Sequence, residues 1–424
     1  MIAAAELTLA AAPPVPAPIA AFRERVLLVV LFITVFASSI AFIEPSPHDV
    51  LMGVLLAVSL LAGLRFDRLI AVPLLLLTVW NVAGMLSLMN VPAEQKAIQY
   101  IGTSAYLAVA AVLFACLFAS NTMPRLITVR AAYVSTATIA ALTGIAGYFN
   151  VFPHAHDLFA PLDRALGAFK DPNVFGPFLI WPALIVIERI IARHIGLKDI
   201  VIAAILIVGL LLSFSRGAWF HFGVSCALTI ALTFLTAPTP RARGRVFGLS
   251  AVGFVTMTAF IVILLSFESI RRMFLERAQL FQSYDVGEGG RFELQRHALS
   301  VVLSFFNGMG PFEFARVYGL QQHNVYLQAF LVYGWLGGMS YIVLLLSTLW
   351  IGARTLLART PWQPYLITAF SAFVGEVLEG FIIDSDHWRH FYLLLGMVWG
   401  LAAATLNERR RQAAMPQPRA FAYR

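Results

Sequence analysis

Long runs of apolar residues constrain this chain more than any other feature of its sequence. A transmembrane helix needs about 20 mostly apolar residues, and about twelve runs of roughly this kind are visible. The runs cover residues 26–43, 49–64, 69–89, 98–119, 126–149, 174–194, 200–214, 218–236, 246–267, 325–352, 364–383 and 389–406. Charged residues make up only 12% of the chain, against about 25% in a typical soluble domain. The pattern excludes an ordinary soluble enzyme and predicts an all-α polytopic membrane protein.

The distribution of basic residues predicts the orientation of these helices. Cytoplasmic loops of membrane proteins carry an excess of Lys and Arg. With the N-terminus in the cytoplasm, nineteen of the thirty Lys and Arg residues fall on the cytoplasmic side and eleven on the exterior. Both termini are therefore expected to be cytoplasmic. Residues 1–22 are predicted to form a flexible tail, 23–406 the transmembrane domain and 407–424 a basic tail.

Two exterior loops are large, covering about 150–173 and 268–324. In the second loop, residues 269–283 place apolar side chains near helical spacing, a pattern suited to a helix lying on a membrane surface. The glycine-rich stretch 285–290 then predicts a mobile break, and a second helix is expected from 291 to 306. We interpret this loop as a helical lid over a cavity at the level of the membrane.

His323 and Asn324 stand at the exterior end of the tenth apolar run. The positive end of the helix dipole disfavours an imidazolium there. A neutral imidazole can accept a proton as a general base. The alternative is an interfacial histidine that forms a hydrogen bond and performs no chemistry.

Arg216 lies between Ser215 and Gly217 in an exterior turn that joins two apolar runs. A cation at this place is costly unless it is paired or faces water. One interpretation is that its side chain snorkels to a lipid phosphate. The other is that its guanidinium points into the cavity and forms two parallel hydrogen bonds with a phosphate group.

Three further cations are candidates for the same anionic site. Lys170 precedes Asp171 and Asn173, which form a natural turn and helix-start sequence with the proline between them. The two polar residues are therefore expected to have a structural role, while Lys170 could contribute charge. Arg291 and Arg296 are five residues apart on a predicted helix, so that only one of them is expected to face the cavity.

The turn between the last two apolar runs contains Asp384, Asp386, His387, Arg389 and His390. Two aspartates beside histidines could bind a metal ion. Two acids at a polar turn are nevertheless common, and we predict no metal site here.

Glu376 and Glu379 fall within the eleventh run and share one helical face. Carboxylates inside a membrane are candidates for function by default. They are expected either to pair with the exterior arginines or to line a proton path.

Taken in order, these motifs resemble those of bacterial O-antigen ligases. The superfamily also includes O-antigen polymerases and some protein O-oligosaccharyltransferases. The residues that carry the resemblance are Lys170, Asp171, Pro172, Asn173, Ser215, Arg216, Gly217, Gly290, Arg291, Gly308, Met309, Gly310, His323, Asn324, Gly334 and Gly337. The resemblance spans about 165–400, and the large exterior loop directly before the histidine belongs to it.

The resemblance implies a GT-C-like fold of about twelve helices, with glycosyl transfer at the periplasmic face of a Gram-negative inner membrane. It implies transfer of polysaccharide from undecaprenyl pyrophosphate to lipid A–core, without a cofactor, a metal or a nucleic acid partner. His323 matches the essential histidine of the family. Arg216 and Arg291 match its arginines, which implies contact with pyrophosphate, and Lys170 is expected to add charge. The residues expected to support them are Asn324, Asp171, Asn173, Ser215, Asp386 and Arg389.

The predicted chemistry is a single displacement with inversion at the sugar C1, because the sequence offers no persuasive pair of carboxylates for a double displacement. Asp384 or Asp386 is a candidate to orient the histidine or the acceptor. An O-antigen polymerase is the nearest alternative function, followed by a protein O-oligosaccharyltransferase. A secondary transporter, suggested by Glu376 and Glu379, is the alternative from a different class.

Overall fold

The computed structural model describes residues 17–91, 94–277, 279 and 290–414. Within these residues the chain forms seventeen α-helices and no β-strand. The helices are α1 (Ala17–Phe36), α2 (Pro47–Leu61), α3 (Ala71–Ser87), α4 (Gln95–Ala119), α5 (Thr122–Tyr148), α6 (Ala155–Phe159), α7 (Pro172–Phe178), α8 (Ile180–Ala192), α9 (Leu197–Leu212), α10 (Arg216–Thr236), α11 (Pro240–Leu264), α12 (Glu268–Arg277), α13 (Arg291–Ser304), α14 (Glu313–Tyr318), α15 (Val325–Leu356), α16 (Gln363–Glu379) and α17 (Arg389–Ala414).

Eight helical stretches in the described part of the chain are long and apolar enough to cross a membrane. They contain α3, α4, α5, α7 with α8, α10, α11, α15 and α17. The other four predicted runs are also helical, but α2, α9 and α16 have only 15 to 17 residues, and α1 carries three charges in its first half. The all-helical polytopic membrane fold is thus confirmed, while the number of twelve spans stays a prediction.

Helices α1 and α17 extend into the segments that the sequence analysis assigns to the two tails. α1 already begins at Ala17, because Pro18 lies in its first turn, where the backbone N–H that proline lacks has no helical partner. At the other end α17 continues to Ala414, since the Glu and Arg residues after Asn407 are good helix formers. Residues 1–16 and 415–424, the remainder of both tails, lie outside the described residues.

The large exterior loop contains helices α12 and α13, close to the predicted positions. α13 buries Leu294, Ala298 and Val302 in a small apolar cluster with Phe314 and Leu331. The predicted break at 285–290 lies outside the described residues except for its last glycine. Because α13 is held by this cluster, its first residue has a fixed place at the end of the bundle that is predicted to be exterior.

α15 is broken at Gly334, whose backbone has φ +67° and ψ −172°. The loop before α14 enters the break, where the N–H of Trp335 donates to the carbonyl oxygen of Phe306 at 2.8 Å. A methyl group at Gly308 would lie 2.6 Å from the backbone nitrogen of Gly334. A broken helix is tolerated at membrane depth where protein groups satisfy its backbone. This contact explains why the sequence has glycine at both positions.

Three close helix pairs hold the bundle together. α17 packs along α4, α15 along α3, and α10 along α16. In the first pair, added methyl groups at Gly396 and Gly400 would lie 2.5 Å from the carbonyl oxygens of Ala111 and Ala115. Small residues allow membrane helices to approach closely in this way. The third pair is the one that brings the start of α10 to the end of α16.

Candidate active site

A cavity of about 800 Å³ lies where several helices meet at the end of the bundle that is predicted to be exterior. Its size is typical of ligand-binding sites. It is lined by Arg164, Asp171, Asn173, Val174, Phe214, Ser215, Arg216, Gly217, Trp219, Phe220, Phe274, Arg277, Gln279, Arg291, Phe292, His323, Glu379, Ile382, Ile383, Asp384 and Trp388. The structure therefore brings together motifs that are up to about 210 residues apart in the sequence, from Asp171 to Asp384.

His323 occupies the position directly before the N-cap of α15, with its backbone in the left-handed region at φ +49°. Its side chain is 47% exposed, and its Nδ1 lies 3.5 Å from Oδ2 of Asp384. Asn324 caps the helix, since its side-chain oxygen accepts hydrogen bonds from the N–H groups of Tyr326 and Leu327. With Nδ1 directed at a carboxylate, Nε2 is the ring nitrogen that can accept a proton from a ligand.

Asp384 joins the histidine to the start of α15. Its Oδ1 accepts a hydrogen bond from the N–H of Asn324 at 2.9 Å, while its other oxygen faces His323. Burial raises the pKa of this carboxyl above its ordinary value, and the neighbouring His323 offsets part of that rise. Of the two aspartates considered from the sequence, Asp384 is the one that lies beside the histidine.

Asp386, which was expected to support the site, does not line the cavity. It is buried, and it accepts hydrogen bonds from the hydroxyl of Tyr100 at 2.7 Å and from Nδ1 of His387 at 3.1 Å. Burial works to raise its pKa, but His387 and the Tyr100 hydroxyl outweigh burial and lower the pKa below its ordinary value. Asp386 thus ties the last exterior turn to α4 and has no contact with the cavity.

Arg216 and Arg291 are the first residues of α10 and α13, and both line the cavity. Ser215 caps α10 by accepting from the N–H of Ala218 at 3.3 Å. One guanidinium nitrogen of Arg216 donates to the carbonyl oxygen of Gln279 at 3.0 Å. Helix N-termini carry partial positive charge, so these two ends add to the attraction that the arginines exert on an anion.

Two more arginines line the cavity although no sequence motif singled them out. Arg164 is buried, donating to the carbonyl oxygen of Ser213 and to the side-chain oxygen of Asn173, both at 2.8 Å. Arg277 is the last residue of α12. Asn173, which accepts from Arg164, donates its own backbone N–H in a hydrogen bond to the side chain of Asp171, and Asp171 thereby caps α7. The only sequence signal for Arg164 and Arg277 was their place on the exterior side, where Lys and Arg are less common.

Lys170 and Arg389 were expected at the cavity, but the structure pairs both of them elsewhere. The Lys170 ammonium lies 2.7 Å from Oε1 of Glu44. Arg389 forms two hydrogen bonds of 2.7 Å with the carboxylate of Asp49. Neither residue lines the cavity. Because each already has a carboxylate partner, both fit a role in joining the first helices to the exterior loops.

Glu376 and Glu379 have histidines as their ionisable partners. Oε2 of Glu379 lies 2.8 Å from Nδ1 of His221, whose Nε2 lies 2.9 Å from the carbonyl oxygen of Ala372. A carbonyl only accepts, so Nε2 carries a hydrogen, and a further proton lies between Nδ1 and the carboxylate. The pair is therefore neutral as a whole, which permits its burial. Oε1 of Glu376 lies 3.5 Å from Nε2 of His390.

Gly217 packs against Glu379 at the wall of the cavity, and its replacement by alanine is expected to destabilise the protein. The added methyl group would lie 2.6 Å from Oε1 of Glu379, which is held by His221. Overpacking of this kind costs about 1–3 kcal/mol. The thermal unfolding of the detergent-solubilised protein measures this loss of stability.

Gly223 provides the matched control for this substitution. It lies on the same helix, and nothing is within 4 Å of a methyl group placed there. Gly223→Ala is expected to leave stability unchanged or slightly raised, because alanine favours helix over glycine by about 1 kcal/mol. Equal unfolding temperatures for the two variants would contradict tight packing of Glu379 on the start of α10.

The fold and the cavity define a polytopic helical membrane protein with an arginine-rich site beside a half-exposed histidine. Residues 201–342 match the family model described as O-Antigen ligase. This match confirms the predicted resemblance over about a third of the chain, and it includes Arg216, Arg291 and His323. The family indicates a glycosyltransferase-like enzyme of the O-antigen ligase or polymerase type. No curated protein matches the chain.

Proposed function

We propose that this chain transfers O-antigen polysaccharide from undecaprenyl pyrophosphate to lipid A–core at the periplasmic face of the bacterial inner membrane. The observation that carries the proposal is the convergence of Arg216, Arg291 and His323 in one cavity. The cavity lies at the end of the bundle that charge distribution assigns to the exterior. Both substrates are membrane lipids, so a site at the level of the helix ends can receive them from the bilayer.

The arginines fit a pyrophosphate leaving group. As the bond between the sugar C1 and the phosphate oxygen breaks, its electron pair and negative charge pass to the pyrophosphate. Arginine presents two parallel N–H donors to a phosphate. If the magnitudes found for oxyanion holes apply here, each such donor stabilises the developing charge by about 2.7–4 kcal/mol.

His323 fits the role of general base. The acceptor hydroxyl oxygen forms the new bond to C1 while its proton passes to Nε2 of the imidazole. The resulting imidazolium donates from Nδ1 towards Asp384, which lies on that side of the ring. Asp384 would thus act as a positioning residue that stabilises the charged form of the base.

The carboxylates of the cavity favour a single displacement over a covalent intermediate. Three carboxylates line the cavity within the described residues, and each has a partner. Asp171 caps α7, Glu379 bonds to His221, and Asp384 faces His323. A retaining enzyme instead needs a pair of carboxyl groups about 5–5.5 Å apart, one of them a nucleophile on C1. Inversion at C1 is therefore the expected outcome.

The test is transfer in vitro from undecaprenyl-pyrophosphate glycan to purified lipid A–core, followed as the shift of the lipid A–core band on a gel. Polysaccharide attached to the core supports the proposal, and the anomeric configuration of the new bond by NMR reports inversion. Activity only towards a second lipid-linked glycan would instead identify an O-antigen polymerase. In a deletion strain, a lost ligase leaves bare core and accumulated lipid-linked polymer, whereas a lost polymerase leaves one repeat unit on the core.

Transfer is expected to continue undiminished in EDTA, because arginines supply the positive charge that metal ions supply in other phosphate sites. The described residues contain no group of three or more His, Cys, Asp or Glu side chains arranged for a metal. Initial rates of transfer before and after dialysis against EDTA measure this. Loss of activity that Mg²⁺ or Mn²⁺ restores would contradict the prediction of metal-independent transfer.

A further inference from the structure

A second cationic pocket, of about 290 Å³, lies at the opposite end of the bundle from the candidate active site. Along α16, which contributes to both sites, the helical rise puts Tyr365 about 21 Å from Glu379. The pocket is lined by Arg130, Ile185, Glu188, Arg189, Arg193, His194, Pro364, Tyr365 and Thr368. It lies between the ends of α5, α8 and α16, so its occupant is separate from the ligand of the cavity.

The charges of this pocket do not cancel. Arg189 lies 3.2 Å from Asp199, and Arg193 lies 3.6 Å from Glu188. Arg130 has no carboxylate partner in the described part of the chain, and its guanidinium donates a hydrogen bond to the hydroxyl of Tyr365 at 3.1 Å. Three guanidiniums and two carboxylates leave one positive charge uncompensated, and it belongs to Arg130.

Arg130 is half-buried within the transmembrane helix α5. It lies eight residues, or about 12 Å, along the axis from the first residue of that helix. An unpaired cation at this depth is costly unless it meets an anion or water. A guanidinium has five N–H donors, and the one bond to Tyr365 leaves most of them to a ligand.

We propose that this pocket binds the phosphate group of an anionic phospholipid from the adjoining leaflet. A phosphodiester carries one negative charge, which matches the uncompensated charge of Arg130, and its oxygens suit the donor geometry of the guanidinium. The hydroxyls of Tyr365 and Thr368 are further partners for a headgroup. Basic pockets between transmembrane helices are a known mode of anionic lipid recognition, and the site does not depend on the glycosyl transfer proposed above.

The test compares three probes on the delipidated full-length protein in detergent. The probes are dioleoylphosphatidylglycerol, dioleoylphosphatidylcholine and glycerol 1-phosphate, and the rise of the thermal unfolding temperature with probe concentration gives each dissociation constant. Phosphatidylglycerol is expected to bind more tightly than phosphatidylcholine, whose choline cation meets the excess positive charge. Glycerol 1-phosphate binding as tightly as the lipid would identify a soluble phosphate as the ligand and overturn the lipid assignment.

Arg130→Gln is expected to weaken phosphatidylglycerol binding about tenfold, which corresponds to about 1.4 kcal/mol, and to leave phosphatidylcholine binding unchanged. Arg193→Gln tests the same pocket at a side chain that is 53% exposed, where misfolding is not a concern. Arg354→Gln is the matched control, because this arginine is exposed near the end of α15, where it stacks on Trp350 outside the pocket. Equal phosphatidylglycerol binding by the wild-type protein and by both pocket variants would overturn the proposal.

Discussion

His323→Ala is expected to reduce the rate of polysaccharide transfer by about 10²–10⁴-fold, the usual contribution of a general base. The loss should appear in the catalytic step, because the cavity keeps the arginines that are proposed to hold the pyrophosphate. Donor binding, measured with labelled undecaprenyl-pyrophosphate glycan, is therefore expected to stay near its wild-type strength. Transfer by membranes containing equal amounts of each variant measures the rate.

His154→Ala is the matched control for this prediction. His154 also lies on an exterior loop, but it is 82% exposed and does not line the cavity. It is expected to transfer polysaccharide at the wild-type rate. Near-normal transfer by His323→Ala would exclude this residue as the base, and loss of donor binding in the same variant would point to a binding role instead.

Arg216→Lys and Arg216→Ala are both expected to reduce transfer by about 10²–10³-fold, the effect of removing one donor from an oxyanion site. Lysine keeps the charge but lacks the planar pair of N–H donors. It also shortens the reach from the start of α10, where Arg216 stands beside its cap residue. The initial rate at saturating donor separates this effect from weaker donor binding.

Arg272→Lys controls for the exchange of arginine for lysine. This arginine lies on α12 in the same exterior region, is 79% exposed and does not line the cavity. It is expected to have wild-type activity. Full activity of Arg216→Lys together with an inactive Arg216→Ala would show that the site needs only positive charge at this position.

The presence of the helices was predictable from the sequence. The residues at which they begin and end, and the number of helices that cross the membrane, were harder to predict. Each of the twelve apolar runs is helical in the structure, yet only eight helical stretches are long and apolar enough to span by themselves. Residues 17–22 were predicted to belong to a flexible tail, although α1 begins at Ala17. A run of apolar residues fixes the type of element, while capping and the first-turn residues fix where it starts.

The candidate site was predicted in part. Ser215, Arg216, Arg291 and His323 line one cavity, as the motif order indicated. Lys170 was expected to add charge because it adjoins a motif, but its ammonium lies 2.7 Å from the carboxylate of Glu44. This pairing could not be predicted from the sequence. The two residues are 126 positions apart, and the residues around each of them give no indication that they are in contact.

The sequence by itself determined that this chain is a helical membrane protein, because backbone groups in lipid must be satisfied within each segment. Its charge distribution also predicts which cations lie on the exterior side. Only the tertiary structure decided which of them share a cavity, adding Arg164 and Arg277 and leaving out Lys170 and Arg389. The physical reason is that lipid tails are as apolar as leucine side chains. Hydropathy therefore reports the depth of a helix but not its neighbours, which are set by the packing of small residues and by buried polar pairs such as His221 with Glu379.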